Sequence, residues 1–405
     1  MVLLSTIVAA ISWAGGGAAA AMPRMVFVKT TAGTPLDAGA SVTTFVQEVT
    51  LGSGPWTVLG RAFLTDSTSG ESDFVRCELF NATAKTPIDT SAGWVEGDGV
   101  VGNMITNLAK LTVASGSTVT IQQWCWHDHD VQHISVASGA TLVGFKALSA
   151  TGNRLKRTTP TTPLGPGQTT VATVSISPGT WLVGFKATAV DVSTSTNNTP
   201  IECTLPGGSI AGRGLSGQAF RSSVSTMLGL TAVTVSLADT IKVTCDAPDN
   251  AGYLDPGAVL WARRVSSAVV GNSCGTVTGA VGSTDLVIDR RTTSCPVGTG
   301  TSASQVGGGS IPAGTWLILG AEQELETTAA GYVRCQIKDA THNRVLDARA
   351  TDYSSGDFDT AGSVFSGTTY VGEVSPSAKT VVQFRCGTAN EGASSGYGGY
   401  VLLRP

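Results

Sequence analysis

Gly54-Pro55-Trp56-Thr57-Val58-Leu59-Gly60, Gly179-Thr180-Trp181-Leu182-Val183-Gly184 and Gly314-Thr315-Trp316-Leu317-Ile318-Leu319-Gly320 are three versions of one phrase in a 405-residue chain. In each, a glycine turn feeds a strand whose tryptophan is placed to cover the end of a core. About twenty residues after each Trp comes a strand with a cysteine: Phe74-Val75-Arg76-Cys77-Glu78-Leu79, Ile201-Glu202-Cys203-Thr204-Leu205 and Tyr332-Val333-Arg334-Cys335-Gln336-Ile337. The first and third copies then run alike, Ile88-Asp89 matching Leu346-Asp347. A second cysteine closes an alternating strand further on, at Cys125, Cys245 and Cys386. Each copy ends on a short apolar strand, Leu142-Val143-Gly144-Phe145, Val259-Leu260-Trp261-Ala262 or Tyr400-Val401-Leu402-Leu403. Four landmarks recurring in one order define an internal repeat of about 100 residues, the size of a small two-sheet sandwich.

Composition agrees with an all-β chain. Apolar residues make up 41%, enough for a core in each unit, but charged residues only 13%, against about 25% in ordinary globular proteins. Ser, Thr and 50 glycines carry the polarity instead, and the β-branched residues between them favour strands over helices. The reading is three tandem antiparallel β-sandwiches, jelly-roll or immunoglobulin-like, behind an apolar N-terminal segment. Its boundaries are 1–40 for leader or anchor and linker, 41–150, 167–266 and 302–405 for the sandwiches, and 267–301 for a linker with a hairpin around Asp285-Leu286-Val287-Ile288-Asp289. The uncharged stretch Val2 to Met22 reads either as a secretion signal or as an uncleaved anchor.

With its Gly-x-Trp strand, cysteine strands and closing Gly398-Gly399-Tyr400-Val401-Leu402-Leu403-Arg404-Pro405, the repeat resembles the jelly-roll head domains of the complement/tumour-necrosis-factor-like superfamily, Gly314 to Pro405 most of all. The resemblance implies a homotrimer that binds partners and has no catalytic centre. The recurring cysteine pair departs from it.

Eight cysteines sort into Cys77 with Cys125, Cys203 with Cys245, Cys335 with Cys386, and Cys274 with Cys295 in the second linker. One inter-strand bridge per sandwich explains the repeated positions, with free buried thiols as the competing reading. Bridges would place the protein outside a reducing cytosol.

The chemistry-bearing cluster is Trp124-Cys125-Trp126-His127-Asp128-His129-Asp130-Val131-Gln132-His133. If the strand runs on past Cys125, His127 and His129 share a face, and with His133 they form a candidate divalent-metal site. The competing reading is a polar loop private to the first unit. Asp249, Asn250 and Asp255, and Asp352, Asp357 and Asp359, are oxygen-rich candidates for Ca²⁺ without EF-hand spacing. Enzyme signatures fail: Gly271-Asn272-Ser273-Cys274-Gly275 lacks the strand-turn-helix of a nucleophile elbow, and Glu96 and Asp98 sit in a glycine-rich loop of one copy. A net charge of -4 and the lack of a Lys/Arg run exclude a nucleic-acid-binding role.

The sequence therefore points to a non-enzymatic structural or interaction protein of an extracellular assembly, a phage virion decoration, fibre or minor tail protein. Its expected partners are protein neighbours in a virion or at a cell surface, with host-surface glycans as a further class. The alternatives are a secreted bacterial adhesin or carbohydrate-binding surface protein, and a secreted hydrolase with accessory β-modules.

Overall fold

The computed structural model describes residues 24–37, 42–66, 69–98, 102–128, 133–147, 149–191, 201–206, 210–214, 223–247, 252–271, 274–290, 295–296, 298–299, 303–326, 331–353, 364–388 and 395–405. Val2 to Met22 lies outside these residues, and with it the choice between signal and anchor. The described residues are strands and turns, without a helix.

The second module shows the connectivity plainly. Its eight strands are Asn153–Arg157 continued by Thr162–Leu164, Thr169–Ile176, Gly179–Asp191, Ile201–Thr204, Ile210–Gly214, Ser223–Val235, Asp239–Asp246, and Gly252–Leu254 continued by Val259–Val265. Numbered in order, they form one sheet 1-8-3-6 and a second sheet 2-7-4-5. That is the doubly crossed wiring of a jelly roll; an immunoglobulin sandwich pairs its first two strands in one sheet.

The first module repeats the wiring with Met25–Lys29 plus Thr34–Pro35, Thr44–Leu51, Gly54–Asp66, Ser69–Asn81, Thr86–Asp98, Gly102–Val113, Val119–His127, and Ile134–Val136 plus Thr141–Lys146. The third uses Leu286–Arg290 plus Cys295–Pro296, Ser304–Ile311, Trp316–Glu326, Gly331–Asp339, Arg344–Tyr353, Val364–Val374, Thr380–Thr388 and Ser395–Leu403.

Each module thus begins one strand earlier than the sequence boundaries place it. The stretches left outside the sandwiches hold the first strands, which pair with the last strand of the same module. Asp285 to Asp289 does not form a hairpin with its neighbour: Ala268–Gly271 runs parallel to Leu286–Arg290 at the sheet edge.

The three repeated tryptophans are core residues. Trp56, Trp181 and Trp316 are fully buried, and each indole Nε1–H donates to the carbonyl four residues earlier, on Gly52, Ser177 and Pro312, at 2.7, 2.9 and 3.0 Å. The turn and the indole therefore fix each other, which explains why the phrase recurs as a unit.

The two sheets of a module differ in what covers them. In the 2-7-4-5 sheets burial alternates along the strand, as in Thr44–Leu51 and Val119–His127, so one face meets solvent. In the 1-8-3-6 sheets Gly54–Asp66, Thr141–Lys146 and Val259–Val265 are buried almost continuously. Such runs belong to a sheet covered on both faces. The second cover is the other two modules. One apolar cluster draws Leu59, Val143 and Phe145 from the first module, Leu182, Leu230 and Trp261 from the second, and Leu286, Leu319 and Val401 from the third. The three sixth strands meet one another at its centre. The modules therefore close into a ring around a pseudo-three-fold axis. The packing of three modules is made within one chain.

One strand shows how tightly neighbouring strands approach. Gly307, Gly308 and Gly309 lie in Ser304–Ile311, at a break in its pairing with Thr380–Thr388. A Cβ on Gly308 would stand 2.3 Å from the Val382 carbonyl oxygen, and its φ of 140° is one that side chains disfavour. Gly308→Ala is expected to cost about 2–3 kcal/mol, read as a lower urea midpoint at unchanged slope.

Candidate functional site

The polar groups of the chain converge on the seams of the ring. Position five after the repeated Trp is Arg61, Lys186 and Ala321 in the three modules. In the first two it is a cation on the outer face of an otherwise apolar strand, fully buried against the next module.

Arg61 forms a two-pronged ion pair with Asp347 of the third module, Nη2 lying 3.3 Å from Oδ1 and Nη1 closing on Oδ2. Nη1 also donates to the carbonyl of Thr369 at 3.0 Å and Nη2 to that of Gly139 at 2.7 Å. Lys29 adds a second cation, 3.2 Å from Asp347 Oδ1. Asp347 also accepts the backbone N–H of Val371 at 3.3 Å.

The second seam repeats the device. Lys186 donates to both oxygens of Asp89 in the first module at 3.1 Å, and to the carbonyls of Thr90 and Gly257. Arg157, which stands where Lys29 does, reaches Asp89 Oδ1 at 2.5 Å. Asp89 accepts the backbone N–H of Leu108 at 2.8 Å, the counterpart of Val371. Burial pushes the Lys186 ammonium below its ordinary value, Asp89 draws it back up, and Arg157 lowers it again.

The third seam carries no charge at either position of the pair. Its cation position is Ala321, and the residue two before the partner of Cys203, where the other modules carry Asp89 and Asp347, is Ile210. Small residues bring the backbones together instead: a Cβ on Gly399 would lie 2.7 Å from the Leu230 carbonyl oxygen. Because the first two modules each set the cation of their third strand against the fifth-strand acid of another module, these interfaces are head-to-tail, the kind that closes into rings.

The eight cysteines form all four expected bridges. The three recurring ones join the fourth and seventh strands within one sheet, Cys77 directly opposite Cys125, Cys203 opposite Cys245 and Cys335 opposite Cys386.

The histidine cluster resolves differently from its sequence reading. Strand alternation puts His127 on the same face as Cys125, but that face points into the sandwich. There the imidazole Nδ1 lies 2.8 Å from Asp73 Oδ2, fully buried. His133 is exposed and His129 lies outside the described residues. Among the described residues no three His, Cys, Asp or Glu side chains gather as a metal shell.

Of the calcium candidates, Asp249, Asn250, Asp357 and Asp359 lie outside the described residues, as does Ser273, and Asp352 sits on the strand Arg344–Tyr353. Glu96 and Asp98 belong to the strand Thr86–Asp98 rather than to a loop.

Asp255 faces the seam between the first two modules. Burial raises its carboxyl above the ordinary 3.8, with Arg76 and Lys186 pulling the other way. The native state therefore holds this proton better than the unfolded chain does. Stability from this group is present at low pH and is lost as pH climbs from 3.8 through the raised value. Asp255→Asn is expected to flatten that limb of the stability profile, measured by urea unfolding at a series of pH values.

No known protein family model matches the chain. No curated protein matches it either. Among solved structures it is similar to a chain of the triple jelly roll fold and turret assembly in an archaeal virus, at 12% identity and a TM-score of 0.21, over 93% of this chain and 89% of that one. It is similar to a chain of Sulfolobus Turreted Icosahedral Virus at 12% identity and 0.21, over 93% and 90%. It is also similar to the N-terminal CBM22-1-CBM22-2 tandem domain of Xyn10C from Paenibacillus barcinonensis at 10% identity and 0.16, over 60% and 86%. Likeness at these scores carries no argument about function, and the jelly-roll assignment rests on the strand wiring of the chain itself.

Proposed function

We propose that the chain is a non-enzymatic structural protein of an extracellular assembly, and specifically a virion decoration, fibre or minor tail protein. The observation that supports this reading is the ring: three jelly rolls bury their 1-8-3-6 sheets against one another and leave the 2-7-4-5 sheets facing outward as a rigid exterior. One chain then supplies the three-module unit that a trimer of separate jelly rolls would supply, and neighbours bind its outer sheets. The four bridges suit an oxidising, extracellular setting. The test is labelling of purified particles with an antibody to the protein. A fixed number of labels per particle is expected; a protein recovered only free in the medium or on cell envelopes would contradict the proposal.

One observation supports a second reading, a surface protein that binds carbohydrate. The outward face of the first module's 2-7-4-5 sheet carries Phe45, 39% exposed and edge-on to Trp124 with centroids 5.4 Å apart. Trp126 follows on the same face, paired with Arg76, whose guanidinium lies 4.2 Å from the Phe74 ring centre. The sister positions of Trp124 and Trp126 are Thr244 and Asp246, and Arg385 and Gly387. Flat rings interleaved with Glu78 and Gln122 offer both stacking and hydrogen bonds to a sugar. A glycan array with the wild type and with Trp124→Ala/Trp126→Ala tests it: binding lost in the variant supports this reading, and no binding by either protein rejects it.

A further inference from the structure

We propose that one mouth of the ring axis binds a small oxyanion between Arg263 and Arg24. The position of Arg263 is set by the ring. It pairs with Leu182, the residue after the repeated Trp; the same pairing in the other modules joins Phe145 to Thr57 and Leu403 to Leu317. Two modules thus bring an apolar residue to this point of the axis and the second brings a guanidinium.

That guanidinium is 2% exposed and lies over the Phe145 ring of the first module, 5.4 Å from its centre. Its Nε and Nη1 have no hydrogen-bond partner. The contrast with the seam cations is direct, since Arg61 and Lys186 are each clamped on a carboxylate. Phe145 compensates the face of the Arg263 guanidinium, but the buried Nε and Nη1 on its edge stay without a partner.

The charges around it come from the other two modules. Arg24 precedes Met25, which pairs with Phe145, so the first module brings a second cation to the same mouth. The third module brings Asp285, whose carboxylate already accepts from the Ser266 backbone N–H at 3.0 Å and from its hydroxyl. Burial lowers Arg263 to about 10, Asp285 opposes the shift and Arg24 adds to it, so the group stays charged at neutral pH.

Two cations against one occupied carboxylate leave a net positive site, half buried, at the meeting point of three modules. A buried cation whose donors lack acceptors is costly, and the planar guanidinium fork matches the oxygens of a phosphate or a carboxylate. The site does not depend on the assembly role. Its ligand is either a free oxyanion or a carboxylate presented by a neighbour.

The test is calorimetric titration of the full chain with inorganic phosphate and, separately, acetate, at constant ionic strength. Saturable binding by the wild type is expected, abolished in Arg263→Met. Arg24→Gln, at an exposed residue whose loss leaves the fold intact, weakens it roughly two- to fivefold, the range for one exposed charge. Asp285→Asn tightens it by removing the competing carboxylate. These two variants decide the matter even if Arg263→Met does not fold. Binding of phosphate alone identifies a free oxyanion, and equal binding of acetate identifies a carboxylate. No saturable binding of either by the wild type, or equal affinity in the wild type and Arg24→Gln, overturns the proposal.

Discussion

Asp89→Asn is expected to destabilise the protein by about 3–5 kcal/mol, the cost of leaving a buried ammonium without its counterion. Asp89 is buried and serves four donors at once: Lys186, Arg157, the Leu108 backbone N–H and the Asn107 side chain. Asparagine keeps the volume and one acceptor oxygen but removes the charge. Lys186 cannot reach water to recover it, because its side chain is only 1% exposed. The double variant Asp89→Asn/Lys186→Met should regain a large part of the loss, since replacing a buried pair by apolar groups is often close to neutral. Urea unfolding of the wild type and both variants gives the comparison directly. A loss below about 1 kcal/mol in the single variant, the level of a solvated pair, would mean that the seam is open to water.

The second large effect is at the bridges. Cys77–Cys125, Cys203–Cys245 and Cys335–Cys386 close loops of 48, 42 and 51 residues. In the chain-entropy account each contributes about 4 kcal/mol by restricting the unfolded chain, and the 21-residue loop of Cys274–Cys295 about 3. Replacing Cys77 and Cys125 together by Ala should cost about 4 kcal/mol, and the Cys203 and Cys245 pair nearly the same, because the dependence on loop length is logarithmic. Unfolding midpoints with and without reductant check this. A reduced protein as stable as the oxidised one would show that the bridges contribute nothing.

The repeat was legible because its landmarks are residue types with few alternatives. A tryptophan behind a glycine turn and a cysteine facing a cysteine keep their identity in all three modules, so the third, fourth, seventh and eighth strands could be read directly. The first strands could not. Met25–Lys29 and Asn153–Arg157 are five residues long and carry charges, and they become strands through pairing with an eighth strand more than a hundred residues away.

The ring was hidden for a related reason: Arg61, Lys186, Asp89 and Asp347 are ordinary solvated residues until a neighbouring module covers them. Two signals were present. One was the cation set inside the apolar third strand, and the other was the Ile88-Asp89 and Leu346-Asp347 match that the second copy lacks. His127 shows the limit of periodicity, since alternation gives the residues that share its face but cannot say that this face is the interior.

Solution scattering tests the closed ring most directly. A compact particle of 405 residues has a radius of gyration of about 22 Å. Three sandwiches strung end to end would exceed roughly 30 Å on the same scaling. The ring predicts the smaller value, unchanged on dilution and with a profile that fits one rigid body. A monomer measured above 30 Å, with the broad distance distribution of independent modules, would contradict it.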